Sequence, residues 1–477
     1  MMFRYNFKYE SILLFRSKWI QILIALLILL FGFATYNGQQ KTQKRKADIE
    51  KVTAEIQVSD LNMLKLLDSV EQGLTVNARP WTIPNTPMAV GNYHPRVASK
   101  PPSELSFLAT GQSDMFTHFV KPTVRGDDLA LNFSEMTSPV QLLFGSFDVA
   151  FVIIFLLPLL IIAFSYDVLS SERESGSLRL LAAQPILLYK WLLQKLALRF
   201  FWVAIITIVA LLLVFVANQV PVVDNFSTIL TFLSVSLAYA FFWFALAFAV
   251  NLWAESSAKN AVALLGLWVV FVLLIPSILN QLGSTLYPIP SRGLMINEMR
   301  TIKAEATERQ DEILDNYLRD HPEYAVNDTT QERSFWHSYM ASQNLIKKKL
   351  EPVLSEYENQ LQKQQQLLDR FTWLSPAILI QGSMNQLADN GSESYEGYRN
   401  QVISFAKEWR DHFLPMLYNN QAFSSGDYSK LPEFTYTPIS GKSQSYVLLI
   451  LLCSGLAVLG FGALRFYVSS AEKHSII

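Results

Sequence analysis

The apolar positions of this chain gather in blocks rather than spreading evenly. Six blocks are long enough to cross a bilayer, which takes ~20 apolar residues at a rise of ~1.5 Å each. They cover residues 19–36, 143–166, 200–217, 226–252, 261–282 and 446–464. In lipid a helix satisfies its own backbone hydrogen bonds, so each block is expected to be a helix and not a strand. Core helices of a soluble protein are usually shorter and amphipathic, which argues against that alternative. The first run exceeds the usual signal-peptide h-region, and "FGFATYNGQQ" offers no A-x-A site, so an uncleaved anchor is expected.

The polar stretches between these blocks set the organisation. The expected fold is an all-α polytopic membrane protein with six transmembrane helices and two large insertions. Residues 1–36 hold a short N-terminus and the first span, and 37–141 form a first large segment. Residues 142–282 hold spans two to five, 283–444 a second large segment, and 445–477 the sixth span and C-terminus. Arg4, Lys8, Arg16 and Lys18 precede the first span. Arg173, Arg179, Lys190, Lys195 and Arg199 lie between the second and third, Lys259 between the fourth and fifth, and Arg465 and Lys473 after the sixth. Cytoplasmic loops carry the excess of Lys and Arg, which places both termini in the cytoplasm. Lys41, Lys44, Arg45, Lys46 and Lys51 follow the first span on the other side, but long segments translocate largely regardless of charge.

Within the first large segment, Ile49, Val52, Ile56, Leu61, Leu64 and Leu67 recur at roughly helical spacing, with Gly73 placed to end the helix. Prolines at 80, 84, 87, 95, 101 and 102 then forbid a continuous helix, so an irregular wrap with a few short strands is expected. In the second, "SRGLMINEMRTIKAEATERQDEILDNYLRD" reads as one charged helix that stops at "HPEY". A longer helix with an apolar face follows, from Phe335 to Phe371, which Pro352 is expected to bend or interrupt. Together they predict an antiparallel helical hairpin.

Composition fits this picture. Of 477 residues, 51% are hydrophobic and 17% charged, against ~25% charged in soluble domains. A net charge of −1 implies no bulk pull toward nucleic acid. The single cysteine, Cys453, excludes an internal disulfide, and no zinc spacing is present. None of the six histidines pairs at H-E-x-x-H spacing, and there is no G-x-S-x-G elbow or P-loop. No metal, cofactor or enzyme activity is therefore expected in this chain. A membrane-bound hydrolase using Ser113 or His118 is the enzymatic alternative. Asp148, near the end of the second span, is either a wetted or paired interfacial residue or part of a substrate path. Pro158 and Pro276 lie inside spans two and five and suggest kinks.

Without ion-coupling residues or an ATP site, any pumping has to be powered by another subunit. The stretch "FSYDVLSSERESGSLRLLAAQP" is the candidate contact. Its spacing predicts a short amphipathic helix at the surface, with Glu172 stacked on Gly176 and Arg173 on Ser177. Leu178, Leu180 and Leu181 supply apolar contacts, Glu174 stays polar, and Pro185 ends the helix. A helix lying on lipid is the alternative, but such helices are usually rich in Lys and Arg.

"SERESGSLRLLAAQP", followed by "LLQKL", resembles the signature of bacterial ABC-2 type permeases. The matching positions are Glu172, Arg173, Glu174, Gly176, Ser177 and Leu178, then Pro185 and Lys195. "PPSELSFLATGQSDMF", "LRDHPEY" and "WLSPAILIQGSMNQLAD" resemble a subgroup with enlarged extracytoplasmic segments, and "GLWVVFVLLIP" is similar to that subgroup's fifth span. The resemblance implies the permease subunit of an ABC exporter in the bacterial inner membrane. It implies that the opening stretch is a coupling helix seated on a separate ATPase, which holds the ATP and Mg. The turn over 253–260, with Glu255 and Lys259, would be the second contact. Expected partners are that ATPase, a second permease (self or sister), membrane lipid and extracytoplasmic proteins. A subunit that moves such partners mechanically, without a translocation path, is the other function expected of this architecture.

Overall fold

The computed structural model describes residues 2–111, 113, 116–125, 146–182, 187–253, 255–289, 292–320, 335–438 and 444–475. The fold is an all-α polytopic membrane protein. Its six helices long and apolar enough to span are Lys18–Glu71, Val149–Glu174, Leu188–Ala217, Phe226–Trp253, Ser257–Leu286 and Ser445–Tyr467. Among the described residues the only sheet is an antiparallel pair of two-residue strands, with Ala98 opposite Val120 and Ser99 opposite Phe119.

The second and fourth spans form the centre of the bundle. Ile153, Leu157 and Ile161 of the second are fully buried, as are Phe232, Tyr239, Trp243 and Phe248 of the fourth. The other spans leave apolar side chains uncovered, including Leu29, Val216, Val262 and Leu464. Apolar residues on the outer faces of a bundle are what a hydrocarbon surround selects. The sixth span lies close on the fourth at two glycines. A Cβ on Gly455 would meet the Phe241 ring at 2.7 Å, and one on Gly462 would meet Ala249 at 3.1 Å. Small residues at such contacts let membrane helices approach closely.

The first span departs from the expected boundary at 36/37. It is one helix of 54 residues, about 80 Å long at 1.5 Å per residue. That greatly exceeds a hydrocarbon core of ~30 Å, so more than half of it stands in the first large segment. No proline separates the apolar from the charged part. Gly38, the one residue there that favours a break, is held by packing: a Cβ on it would strike the Phe107 carbonyl. The helix ends as expected at Gly73, whose φ is +72°, with the Leu74 N–H closing on the Ser69 carbonyl at 2.9 Å.

Spans two and five share a second device. Each contains a π turn, Val152–Leu156 and Val269–Leu274, directly before an α-helix with proline as its second residue. Pro158 and Pro276 have no N–H to donate to the preceding turn. The carbonyls there are served from outside. Tyr239 donates to Ile154 (2.9 Å), Trp268 to Phe155 (3.2 Å) and Ser375 to Phe271 (2.6 Å). The prolines therefore act through π turns that bond to other helices. Ser375 also caps helix Pro376–Leu387 of the second large segment, so that segment is hydrogen-bonded directly to the fifth span.

The two large segments form one body with a shared core. Met63 and Leu67 of the first helix pack with Met88, Trp409, Phe413 and Tyr418. Trp409 donates to the Gly91 carbonyl (3.0 Å) and Tyr398 to the Ala98 carbonyl (2.8 Å). Asp60 accepts from Tyr428 (2.9 Å) and pairs with Arg96. The charged hairpin of the second segment is present, but its first arm is two helices, Arg292–Glu308 and Gln310–Asp320. Arg309, at the break, pairs with Glu312 at 2.8 Å. The second arm, Phe335–Phe371, runs through Pro352 without interruption. Leu350 and Leu354 on either side of the proline join the apolar cluster beneath it, and this packing holds the helix where propensity alone would break it. "HPEY" lies outside the described residues.

Arg45 explains part of the charge that follows the first span. It is 6% exposed and buried inside the body. Its guanidinium donates to Ser113 (3.2 Å) and to the Asn390 amide oxygen (3.3 Å) and lies 3.3 Å from His118 Nδ1. Asn390 in turn donates to the carbonyls of Ser106 (3.0 Å) and Ala109 (2.7 Å). Lys100, also buried, pairs with Asp389 at 2.5 Å. "SELSFLATGQS" and "QLADNGS", distant in sequence, thus meet at one polar junction.

Candidate coupling site

The predicted single helix over 169–181 is two short helices, Ser170–Glu174 and Leu178–Ala182. Gly176 separates them with φ +79°. An added Cβ would meet nothing there, so it is the left-handed backbone and not crowding that calls for glycine. The i,i+4 stacking of Glu172 on Gly176 and of Arg173 on Ser177 is therefore replaced by a turn. In that turn the Ser177 hydroxyl donates to the Glu172 carbonyl at 3.1 Å and also to its carboxylate.

Two buried asparagines hold the turn on the bundle. Asn251, at the end of the fourth span, accepts from the Leu169 N–H (3.2 Å) and donates to the Ser165 carbonyl (2.8 Å). Asn260, at the start of the fifth, donates to the Tyr166 carbonyl (2.8 Å), and Ser170 and Ser257 share a hydrogen bond of 2.8 Å. Both asparagines are fully buried, where an amide without partners would cost about 1–3 kcal/mol.

The charges of the stretch turn inward more than expected. Glu172 is half-buried and accepts from Lys195 at 3.2 Å. Lys195 also lies 3.6 Å from Glu10 of the N-terminal helix Met2–Arg16. Glu10 is 4% exposed and accepts from Arg199 at 2.9 Å. Arg199 continues to Asp167 at 3.7 Å and donates to the Phe164 carbonyl. Glu174 accepts from the Ser257 N–H (2.7 Å) and hydroxyl (3.0 Å), a carboxylate at the start of helix Ser257–Trp268, where the dipole favours it. Glu172 therefore braces the turn from within, while Glu174 ties it to the start of the fifth span at the surface.

What remains exposed is compact. Glu174, Ser175, Gly176 and Arg179 are exposed, and Leu180 is 74% exposed. Leu178 packs on the bundle, and Arg173 is half-buried. The Leu181 side chain and Pro185 lie outside the described residues. Next to this turn, Glu255 and Lys259 form an exposed pair at 3.9 Å, and Trp253 is half exposed beneath Arg465, whose guanidinium lies 4.5 Å from the ring. An apolar tip flanked by cations, on a turn clamped to three spans and the N-terminal helix, can transmit force.

Asp148 is not wetted. It is 5% exposed and caps the second span, accepting from Phe151 N–H (2.8 Å) and from the Thr110 N–H (2.8 Å) and hydroxyl (3.0 Å). These bonds satisfy it as a tie between the first large segment and the span. Ser113 donates to the Thr110 carbonyl and accepts from Arg45. Burial, then the charges of Arg45 and Lys100, holds His118 down at about 3, which makes it a poor base for a serine near neutral pH. Among the described residues no group of three His, Cys, Asp or Glu side chains is placed to hold a metal ion.

Glu10, Arg199, Asn251, Asn260 and Ser257 are the site residues that the motif did not reveal. A carboxylate within an N-terminal amphipathic helix, and asparagines bracketing a short loop between two spans, were the available signals. Residues 292–437 match the family described as Domain of unknown function (DUF3526). No curated protein and no solved structure matches. The matched residues belong to the second large segment, so the coupling turn and all six spans lie outside them.

Proposed function

We propose that this chain is the permease subunit of an ABC exporter of the ABC-2 type, in the bacterial cytoplasmic membrane with both termini inside. A separate ATPase, holding ATP and Mg, seats on the Leu178–Ala182 tip and the neighbouring 253–260 turn. A second permease, identical or a sister, completes the assembly. The observation that carries this reading is the clamp on the turn. Its charged residues bind it to the N-terminal helix and to spans three and five, while Arg179 and Leu180 are left outward. Load on the tip reaches the second span directly, and from there its π turn. The carboxylates position the tip and do not themselves contact the ATPase.

A mechanical role without a translocation path has its own support. The first span continues as one rigid helix into the large body, and Ser375 joins that body to the π turn of the fifth span. A displacement at the turn would then move the body, and with it an extracytoplasmic protein or lipid-anchored partner.

The test is co-purification of an ATPase with the tagged full chain from its native membrane, with the Leu180→Asp, Arg179→Glu double variant beside it. ATPase recovered with the parent and lost with the variant is expected. Equal recovery with both removes the docking role. Glu172→Lys is the poorer probe, because it would place a second ammonium against Lys195.

A further inference from the structure

We propose that the cleft between helices Gln310–Asp320, Phe335–Phe371 and Ser392–Tyr418 binds a small zwitterionic phosphate compound, its phosphate between Lys347, Lys407 and Arg410 and its ammonium toward Glu308. The cleft has a volume of about 780 Å³, within the ~300–1,000 Å³ of small-molecule sites. All of its lining residues fall in the matched segment 292–437.

The two walls differ in charge. Glu308 and Asp320 stand on the first arm of the hairpin, and Lys347, Lys407 and Arg410 on the two helices opposite. Ile313 and Leu414 supply apolar floor. Two contacts join its walls: Lys349 pairs with Glu305 at 2.9 Å, and Tyr317 stacks on Tyr418 with ring centres 5.7 Å apart. Glu312 is already paired with Arg309. Among the described residues neither Lys347 nor Lys407 has an ion-pair partner within 4.0 Å.

The three cations act on one another electrostatically. Desolvation, then the charges of Arg410 and Lys407, lowers the pKa of Lys347, and Asp411 and Glu351 offset this only in part. Like charges gathered in a cleft are relieved by an anion between them. A phosphate, with more charge and more acceptor oxygens than a carboxylate, suits three cationic donors from two helices. Simple phosphate would leave the acidic wall unmatched, whereas an amino-alcohol phosphate satisfies both walls. The same chemistry is offered by a free metabolite and by a lipid headgroup.

The experiment is calorimetric titration of the detergent-purified full chain with O-phosphoethanolamine, inorganic phosphate and dihexanoyl phosphatidylethanolamine. Saturable binding of O-phosphoethanolamine is expected, weakened roughly tenfold by Lys407→Gln or Lys347→Gln, the loss of one charge-assisted contact. Inorganic phosphate should bind more weakly, and Glu308→Gln should narrow that difference. These side chains are exposed, so an unchanged unfolding midpoint checks that the variants fold. Displacement by the short-chain lipid assigns the site to a headgroup; binding of O-phosphoethanolamine without displacement assigns it to a soluble ligand. No saturable binding of either phosphate compound, or binding indifferent to both lysine variants, overturns the proposal. Equal affinity for inorganic phosphate, unmoved by Glu308→Gln, overturns its zwitterionic part.

Discussion

Two buried charge clusters lie on opposite sides of the spans, and they are built differently. At the turn after the second span, Glu10, Asp167 and Glu172 share Lys195 and Arg199 over 2.9–3.7 Å. In the large body, Arg45 donates to Ser113 and Asn390 and lies beside His118, with the Lys100–Asp389 pair at the same junction. Shared ion pairs offer each cation more than one carboxylate, so the turn can shift while its charges stay matched. The bonds from Arg45 to these neutral dipoles are buried and directional, so they hold in one geometry. The first arrangement suits a joint that transmits force, the second a junction that must not move.

The strongest way to break that contrast is at the fixed junction. Asn390→Ala removes one acceptor of Arg45 and leaves the Ser106 and Ala109 carbonyls without the Asn390 donor. A loss of about 3–5 kcal/mol is expected, read as a lowered unfolding midpoint and as new proteolysis in the large body. An unchanged midpoint would show that the junction is not what joins the segments.

Acid should act on the same junction. The folded pKa of His118 is depressed to about 3 from its ordinary 6.5. The unfolded chain therefore binds the extra proton first. Stability is full above about pH 6.5 and falls as the pH drops toward about 3, by about 3 kcal/mol near pH 4. His118→Gln should flatten that part of the pH–stability curve, and a variant with the parent's slope would place the titration elsewhere.

At the adjustable cluster the expected effect is smaller and local. Glu10→Gln removes one charge from a shared network and costs about 2 kcal/mol. Hydrogen exchange should rise over residues 167–182 while the large body keeps its protection. Loss of protection in the body as well would mean that the two clusters are not independent.

How far these features can be read from sequence follows from the range of the interactions. The six spans are legible because each is a continuous apolar block, and the hairpin because its apolar face recurs over many turns. The stretch 169–181 reads as one helix in sequence and folds as two: Gly176 in "ESGS" signals a turn, but helical spacing on both sides of it hides the break. Continuity of the first helix was hidden by the change from apolar to charged residues, which alters the surroundings and not the backbone. The partners of Glu172, Arg45 and Asn390 were not legible, since they come from helices distant in sequence. The π turns were legible only as prolines, because the Tyr239, Trp268 and Ser375 donors that support them lie elsewhere in the chain.

The central claim is that an ATPase seats on the exposed tip while the carboxylates hold that tip in place. Leu180→Asp tests it most directly, since the side chain is 74% exposed and such a change should alter stability by no more than about 0.5 kcal/mol. Native-membrane purification of the tagged variant, with ATP hydrolysis measured on the eluate, should give a folded permease with the parent's unfolding midpoint and no associated ATPase. A variant that folds normally and still brings down the ATPase at the parent's level would contradict the account.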